Sequence, residues 1–346
     1  MKNKYTFFVL FVLYSLLCTN TEAQDVHFSQ FWMAPLAQNP AAAGATKDMQ
    51  AVINYKDQWS SVASPYKTYD ISFDMRVNKK NAKNGYLAVG AYIFNDKAGD
   101  GQIGTFQGNF ALAYHVFLNK HNTLGAGIMG GFAQRSINFN SLEWANQYDG
   151  TAYNSSLPSK EPQVNNSITY PDASAGIIWT YNKKEGYISG NDRLSVDAGI
   201  AVYHLNTPAY SFYHTSEKLD MKFVVHGNAL VGIKNSNISL VPGFLYYIQG
   251  SSQQLEIGSM VRYTISEESK YTGFINSSAF SLGLHYRNND ALIASMLYEK
   301  GPIAVGLSYD VNISGLKTAS NGRGGFEISL RYVSPKLFAY KSHARL

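Results

Sequence analysis

The chain has 346 residues and a formal net charge of +5, and charged residues make up only 15% of it. Its 25 tyrosines, 19 phenylalanines and 29 glycines, combined with so few charges, are untypical of a soluble surface and typical of a membrane-interface composition. The positive charge is spread along the sequence, which excludes a nucleic-acid-binding surface, and a single cysteine excludes a disulfide scaffold.

Residues 1–23 have the pattern of a secretory signal peptide. Lys2 and Lys4 precede an apolar run, and polar residues ending in the small residue Ala23 follow it, which predicts cleavage after Ala23. A bulky leucine directly before Cys18 disfavours lipidation there. No later apolar run approaches the roughly 20 residues of a membrane-spanning helix.

Residues 24–47 lack a clear period and end in a stretch rich in Pro, Ala and Gly, which predicts extended or turned backbone. We interpret this segment as an N-terminal arm or plug. Its Phe28, Phe31 and Trp32 would be costly to leave in water, so we expect them to dock inside the barrel predicted below or against a partner protein.

The segment 68–77 alternates strictly between apolar and polar residues over ten positions, as a two-faced strand does. Strands of soluble domains average about 5 to 6 residues, whereas a tilted strand needs about 9 to 11 to cross a bilayer. The segment is therefore long enough to span a membrane.

Similar segments recur along the chain, separated by turns rich in Asn, Gly, Lys and Asp. The predicted strands are 48–58, 67–77, 85–95, 102–117, 122–136, 172–182, 193–205, 221–234, 236–249, 253–265, 277–288, 290–299, 302–313 and 323–333. The fold class is therefore all-β: a transmembrane outer-membrane β-barrel of about fourteen antiparallel strands, spanning 48–333, with an N-terminal arm and a polar C-terminal tail at 334–346.

An even strand count places both ends of the barrel on the periplasmic side. The long connections 59–66, 137–171, 206–220 and 313–322 then all face outward. The connections 183–192 and 266–276 fit less well, because they are long and yet would be periplasmic.

Charged residues of both signs fall on the polar faces of the predicted strands. We expect a lumenal salt-bridge network made of Asp70, Asp74, Arg76, Glu256, Arg262, Glu327 and Arg331. Asp70 and Asp74 could also form a carboxylate pair for acid and base chemistry, but mixed charges favour the structural role.

Aromatic residues near the strand ends and in the longest connection are candidates for partner binding. Trp59 also fits an aromatic girdle at the membrane interface. Trp144, Tyr148 and Tyr153 lie in the connection 137–171, which is either a contact surface for exported protein or a surface loop without a partner.

Short motifs in a fixed order along the mature chain resemble the PorP/SprF family of type IX secretion system membrane proteins. They include Gln24-Asp25, Phe28-Ser29-Gln30, Asn39-Pro40-Ala41, Tyr55-Lys56-Asp57-Gln58-Trp59, Ser72 with Asp74, His204-Leu205-Asn206, Leu240-Val241-Pro242, Gln254-Leu255-Glu256-Ile257-Gly258, Tyr286-Arg287, Tyr309-Asp310-Val311 and Phe326-Glu327. Lys56 stands where the family usually has arginine.

The resemblance implies a non-enzymatic outer-membrane component of type IX secretion. It also implies partners: periplasmic ring subunits and the translocon of the secretion machinery, outer-membrane lipid, and the C-terminal signal region of a secreted cargo such as a gliding adhesin. No histidine lies in a metal-ligand spacing and no phosphate-binding glycine loop is present, so we expect no metal or cofactor.

Three alternatives remain open. An outer-membrane porin or transporter would pass small solutes or lipids. A barrel enzyme would need a nucleophile and a histidine at one rim, where His204 and His214 are candidates, although no nucleophile motif is present. A soluble secreted β protein would be extracted without detergent.

Overall fold

A computed structural model describes residues 25–60, 64–77, 84–161, 166–183, 191–212, 217–267, 277–315 and 317–334. The predicted signal peptide, most of the predicted C-terminal tail and His214 lie outside the described residues. No helix among the described residues is both long and apolar enough to span a membrane.

Fourteen antiparallel strands form a closed barrel in which each strand pairs with its sequence neighbours and the first pairs with the last. This confirms the predicted fold class. The strands are β1 (Met49–Gln58), β2 (Tyr66–Arg76), β3 (Gly85–Ala98), β4 (Ile103–Phe117), β5 (Asn122–Ser136), β6 (Ser167–Lys183), β7 (Leu194–Tyr203), β8 (Lys222–Gly232), β9 (Ile238–Gln249), β10 (Ser252–Ser266), β11 (Ser278–Arg287), β12 (Ala291–Lys300), β13 (Ile303–Asn312) and β14 (Arg323–Val333).

Strand β2 shows how the alternation builds the two faces of the wall. Asp70 and Asp74 are buried toward the lumen, whereas Tyr69 and Ile71 are each 48% exposed on the outside. Because side chains alternate along a strand, an apolar and polar repeat of period two gives an apolar outer surface and a polar lumen. Such an outer surface needs apolar surroundings, as the predicted membrane location would supply.

Strand β6 begins five residues earlier than the pattern predicted, at Ser167. Pro171 lies within the strand and pairs with Phe132 of β5. A proline inside a run normally argues against a strand because it lacks the N–H of a ladder bond. Here the side chain of Asn206 donates a hydrogen bond to the carbonyl of Pro171 at 2.7 Å. This gives the backbone a further hydrogen bond next to the missing N–H.

The barrel has two distinct ends. The long-loop end carries the connections 59–65, 137–166, 204–221 and 313–322, and the terminal end carries the start of β1 and the end of β14. Short turns such as 118–121 and 301–302 lie at the terminal end. The long connection after β5 includes two short 3-10 turns, Phe139–Ser141 and Ala145–Gln147, and a helical turn, Lys317–Ser320, precedes β14.

The arm, residues 25–47, lies inside the lumen. It forms a 3-10 turn at Phe31–Met33, one turn of α-helix at Pro35–Gln38 and a second 3-10 turn at Pro40–Ala42. It starts near the long-loop end, where Asp25 contacts Lys222, and it runs the length of the barrel to β1 at the terminal end. Asp25 therefore lies at the end of the barrel opposite to the start of β1 and the end of β14.

Glycines of the barrel wall leave room at the points where the arm comes closest to the wall. A Cβ on Gly127 would lie 2.6 Å from the Cα of Ala41, and a Cβ on Gly90 would lie 3.0 Å from Leu36. Distances under 3.0 Å do not occur between real Cβ atoms and backbone, so Gly127 in particular fixes how closely the arm packs against β5.

Candidate functional site: the plugged lumen

The carboxylate of Glu327 on β14 holds the beginning of the arm. It accepts hydrogen bonds from the backbone N–H of Ser29 at 2.7 Å and of Gln30 at 2.9 Å. The ammonium of Lys56 lies 3.1 Å from the same carboxylate and donates to the carbonyl of His27 at 2.8 Å. Glu327 and Lys56 are each only 1% exposed, so this pair neutralises two buried charges while it orders the arm.

A second charged cluster is centred on Arg287 of β11, which is fully buried. Its guanidinium lies 2.9 Å from Asp310, 3.0 Å from Asp290 and 3.3 Å from Glu256. It also donates to the hydroxyl of Ser29, and that hydroxyl donates to Asp310 at 2.8 Å. One arginine thus connects β10, β11 and β13 to the arm.

A third cluster on β2 holds the end of the arm. Asp74 accepts from the N–H of Gly44 at 2.8 Å. Arg76 donates to the carbonyls of Gly44 and Ala45 at 2.6 and 2.9 Å and pairs with Asp48 at 2.8 Å. The carboxylate of Asp74 therefore binds a backbone N–H of this turn, and the guanidinium of Arg76 binds two carbonyls of the same turn.

Asp70 contacts the middle of the arm indirectly, through the side chain of Asn54. It accepts from the amide of Asn54 at 3.0 Å, and the same amide donates to the carbonyl of Met33 at 3.1 Å. Asp70 and Asp74 serve different segments of the arm, so the two carboxylates do not act as a pair.

Asn39 ties the centre of the arm to the opposite wall. Its amide donates to the carbonyls of Ile177 at 2.9 Å and Ile200 at 3.3 Å, and it lies 3.1 Å from Nε2 of His226. Its side-chain oxygen accepts from the N–H of Ala41 at 2.9 Å, which caps the second 3-10 turn.

The other lumenal histidines also contact the arm. Nε2 of His115 lies 2.8 Å from the carbonyl of Ala43. The ring of His285 stacks on Trp32 with centroids 4.5 Å apart.

At the long-loop end, His204 lies between two carboxylates. Its Nε2 is 2.8 Å from Asp25 of the arm and its Nδ1 is 2.9 Å from Asp172. Burial disfavours the charged imidazole, but the two carboxylates outweigh burial and raise the pKa of His204 to about 9. Burial likewise opposes ionisation of Asp25, yet Lys222 and His204 hold its pKa well below the usual range.

At the terminal end, Glu299 is shared by Arg262 at 2.8 Å and Arg331 at 3.3 Å. Lys47, the last residue of the arm, lies close to this pair. Burial and the positive charges of Arg331 and Arg193 lower the pKa of Lys47 to about 8. This cluster carries an excess of positive charge.

The seven residues predicted as one lumenal network all take part in polar contacts of the lumen, but they form separate clusters. Asp70, Asp74 and Arg76 bind the middle and end of the arm, Glu327 binds its beginning, Glu256 pairs with Arg287, and Arg262 and Arg331 share Glu299. The sequence reasoning did not assign the roles of Arg287, Asp310, Glu299 and the Asp25–His204–Asp172 group. Apart from Asp25, which lies in the arm, each is a polar residue at an inward-facing position of an alternating strand or directly next to such a strand, and that pattern could have indicated them.

The aromatic candidates separate into two sets. Phe28 and Phe31 are 5% and 1% exposed inside the lumen, and Trp32 packs between Phe31 and His285. Inside the barrel was one of the two expected locations for these arm residues.

The second aromatic set lies at the long-loop end. Trp59 packs edge-on against Tyr66. Tyr148 and Tyr153 pair as a short β-bridge and are 58% and 44% exposed, and Trp144 is half-buried in the same connection.

The polar groups described here bind one another and the arm. His204, one of the two rim histidines considered for an enzyme, is engaged by two carboxylates. Among the described residues, no cluster of three His, Cys, Asp or Glu side chains is arranged to hold a metal ion.

A closed barrel with an apolar outer surface and a lumen filled by its own N-terminal arm defines a plugged outer-membrane β-barrel protein. The sequence model of the family described as type IX secretion system membrane protein PorP/SprF matches residues 20–332, nearly the whole chain. The chain belongs to the PorP/SprF family. It is thus an outer-membrane component of the type IX secretion system, and its fold and family are non-enzymatic.

Solved structures similar to the chain are outer-membrane barrels. A FadL homologue from Pseudomonas aeruginosa is 10% identical, with 85% of this chain and 92% of that one covered and a TM-score of 0.44. The β domain of the Bordetella autotransporter BrkA is 9% identical, with 83% and 98% covered and a TM-score of 0.39. The KdgM porin, in complex with disordered oligogalacturonate, is 7% identical, with 82% and 99% covered and a TM-score of 0.38. No curated protein sequence matches the chain.

Proposed function

We propose that this protein supports the export or surface attachment of large cargo proteins, such as gliding adhesins, by binding proteins at the two ends of a permanently plugged barrel. The observation that carries the proposal is the arm. It spans the lumen: Glu327 binds its beginning, its own Asn39 bonds to the wall in the middle, and Asp74 binds its end. A lumen occupied in this way favours a binding role over solute passage.

Binding at the long-loop end is assigned to the aromatic connection after β5. Tyr148 and Tyr153 are exposed side by side, and Trp144 lies next to them. Tyr and Trp give large contact area and a polar group, which suits them to protein recognition. We assign to this surface the C-terminal signal region of the cargo, with the long-loop end facing outward.

Binding at the terminal end is assigned to the secretion machinery, namely periplasmic ring subunits and the translocon. The sequence predicts long periplasmic connections at 183–192 and 266–276, most of whose residues lie outside the described part of the chain. Long connections are either functional or without a partner, and we propose these two as docking points for the machinery.

Deletion of the protein tests the proposal. Cells lacking it should lose one or a few large proteins from the surface, measured by mass spectrometry of peptides released by protease from intact cells. Expression of the wild-type chain should restore them. Unchanged surface display of every large protein in the deletion strain would refute the proposal.

The alternative is a porin or transporter for small solutes or lipids. It requires the arm to leave the lumen and to break its hydrogen bonds to Glu327, Asp74 and Arg76. A deletion strain that keeps surface display but loses uptake of a solute would establish that alternative instead.

A further inference from the structure

A cavity of about 380 Å³ remains in the lumen beside the arm. It extends from Trp32 and His285 in the middle of the barrel to the turn at Gly301 and Pro302 at the terminal end. We call it the terminal vestibule. Its size is at the lower end of the range found for ligand-binding pockets.

Positive charge dominates the charged lining of the terminal vestibule. Lys47, Arg193, Arg262 and Arg331 line it, against two carboxylates, Asp197 and Glu299. Glu299 is already shared between two arginines. Among the described residues no carboxylate lies within salt-bridge distance of Lys47, and the Nε of Arg331 is buried without a hydrogen-bond partner.

Polar atoms that lack partners within the described chain also line the vestibule. The hydroxyl of Ser281 and the Nδ1 atoms of His226 and His285 are buried and unpaired, in side chains that are 1%, 3% and 2% exposed. A buried polar atom without a partner costs about 1 to 3 kcal/mol. All three residues line the cavity, so a group entering it could satisfy them.

Apolar side chains line the vestibule as well. Met260 and Leu297 are 3% and 6% exposed, and both line the vestibule together with Val241. A free inorganic anion would leave this apolar surface uncovered. A chain that alternates carboxylates and apolar side chains would contact both kinds of surface.

We propose that the terminal vestibule binds an acidic, partly apolar peptide segment of a periplasmic partner, with its carboxylates at Lys47 and Arg331 and its apolar side chains on Met260 and Leu297. This rests on the proposed function, which places the terminal end in the periplasm beside the secretion machinery. It adds a specific site and a specific chemistry to that end of the barrel.

The test uses the full mature protein in mild detergent and two coumarin-labelled, amidated tetrapeptides, Leu-Glu-Leu-Glu and Leu-Gln-Leu-Gln, followed by fluorescence anisotropy. The acidic peptide should bind at least tenfold more tightly than the neutral one, and added salt should weaken it. Equal binding of the two peptides, or binding of neither, overturns the proposal. So does competition by glutarate as strong as that by unlabelled acidic peptide, because the site would then be one for small acids.

Two variants place the binding at the vestibule. Lys47→Gln and Arg331→Gln should each weaken the acidic peptide about tenfold or more, since each removes one charge-assisted contact. Arg323→Gln is the matched control, because Arg323 is exposed on the same strand at the long-loop end. Lys47→Gln leaves the Glu299 pairs intact, so it separates lost binding from lost folding. Full binding by both vestibule variants would contradict the site.

Failure of this inference differs from failure of the proposed function. Loss of surface display on deletion, together with no peptide binding by the purified protein, would leave the proposed function standing and remove the vestibule site. Peptide binding by the purified protein, together with unchanged surface display on deletion, would remove the proposed function and leave the vestibule standing as a peptide site.

Discussion

Replacement of Glu327 by glutamine should loosen the beginning of the arm without unfolding the barrel. The carboxylate accepts two backbone N–H groups, one on each oxygen, and neutralises Lys56. Glutamine keeps only one acceptor oxygen, so one N–H is left without a partner and the ammonium loses its counter-charge. Lys56 keeps its bond to the carbonyl of His27, which limits the loss.

The magnitude follows from these contacts. Hydrogen bonds to charged groups contribute about 1.5 to 3 kcal/mol each, and breaking a buried ion pair costs about 3 to 5 kcal/mol. Because one acceptor oxygen and one contact of Lys56 remain, we expect the variant to lose about 3 kcal/mol of the free energy that holds the beginning of the arm in place. That corresponds to a roughly 150-fold larger open population of the arm.

Hydrogen exchange with mass spectrometry measures this opening directly, because exchange of the arm amides reports local unfolding. Peptides covering residues 25–34 should exchange roughly 150-fold faster in Glu327→Gln, whereas peptides from β4 and β5 should not change. Glu143→Gln, in the exposed connection after β5, is the matched control. Arm exchange equal in the variant and the wild-type protein would refute the anchoring role of Glu327.

Three further predictions concern how the arm is seated, and thermal unfolding in detergent measures each. Gly127→Ala should lower stability by about 1 to 3 kcal/mol, because the added Cβ overlaps the arm backbone, whereas Gly130→Ala on the same strand should not, since its nearest neighbour would be 3.9 Å away. Asn39→Ala should cost about 1 to 3 kcal/mol by leaving lumenal hydrogen-bond partners unpaired, and a wild-type midpoint would contradict its central position. His204 has a pKa of about 9 against 6.5 when unfolded, so the stability it contributes is present below pH 6.5 and is lost as pH rises through 9. From pH 6 to pH 8 the wild-type protein should lose about 2 kcal/mol more stability than His204→Gln does; the same slope in both would show that His204 is not responsible.

The strand wall could be predicted from the sequence because its cause is local. Period two along Thr68 to Arg76 determines which side chains face lipid and which face the lumen, and no distant residue is needed to read it. The boundary of β6 was wrong for an equally local reason: Pro171 interrupts the pattern, and the contact from Asn206 comes from another part of the chain.

The contacts inside the lumen depend on residues far apart in the chain, and therefore the sequence could indicate polar positions but not partners. Glu327 binds Ser29 across 298 positions, and Arg287 binds the same serine across 258. Asp70 and Asp74 contact different segments of the arm because of the path that the arm takes through the lumen. The alternation of β2 does not encode that path.

The electrical conductance of single barrels in planar bilayers tests the central claim most directly, namely that the arm closes the lumen and that the protein acts by binding. The purified mature protein should insert and remain silent at ordinary voltages, and Glu327→Gln should give brief openings. A stable, ohmic current through the wild-type protein would show an open channel and would contradict the account.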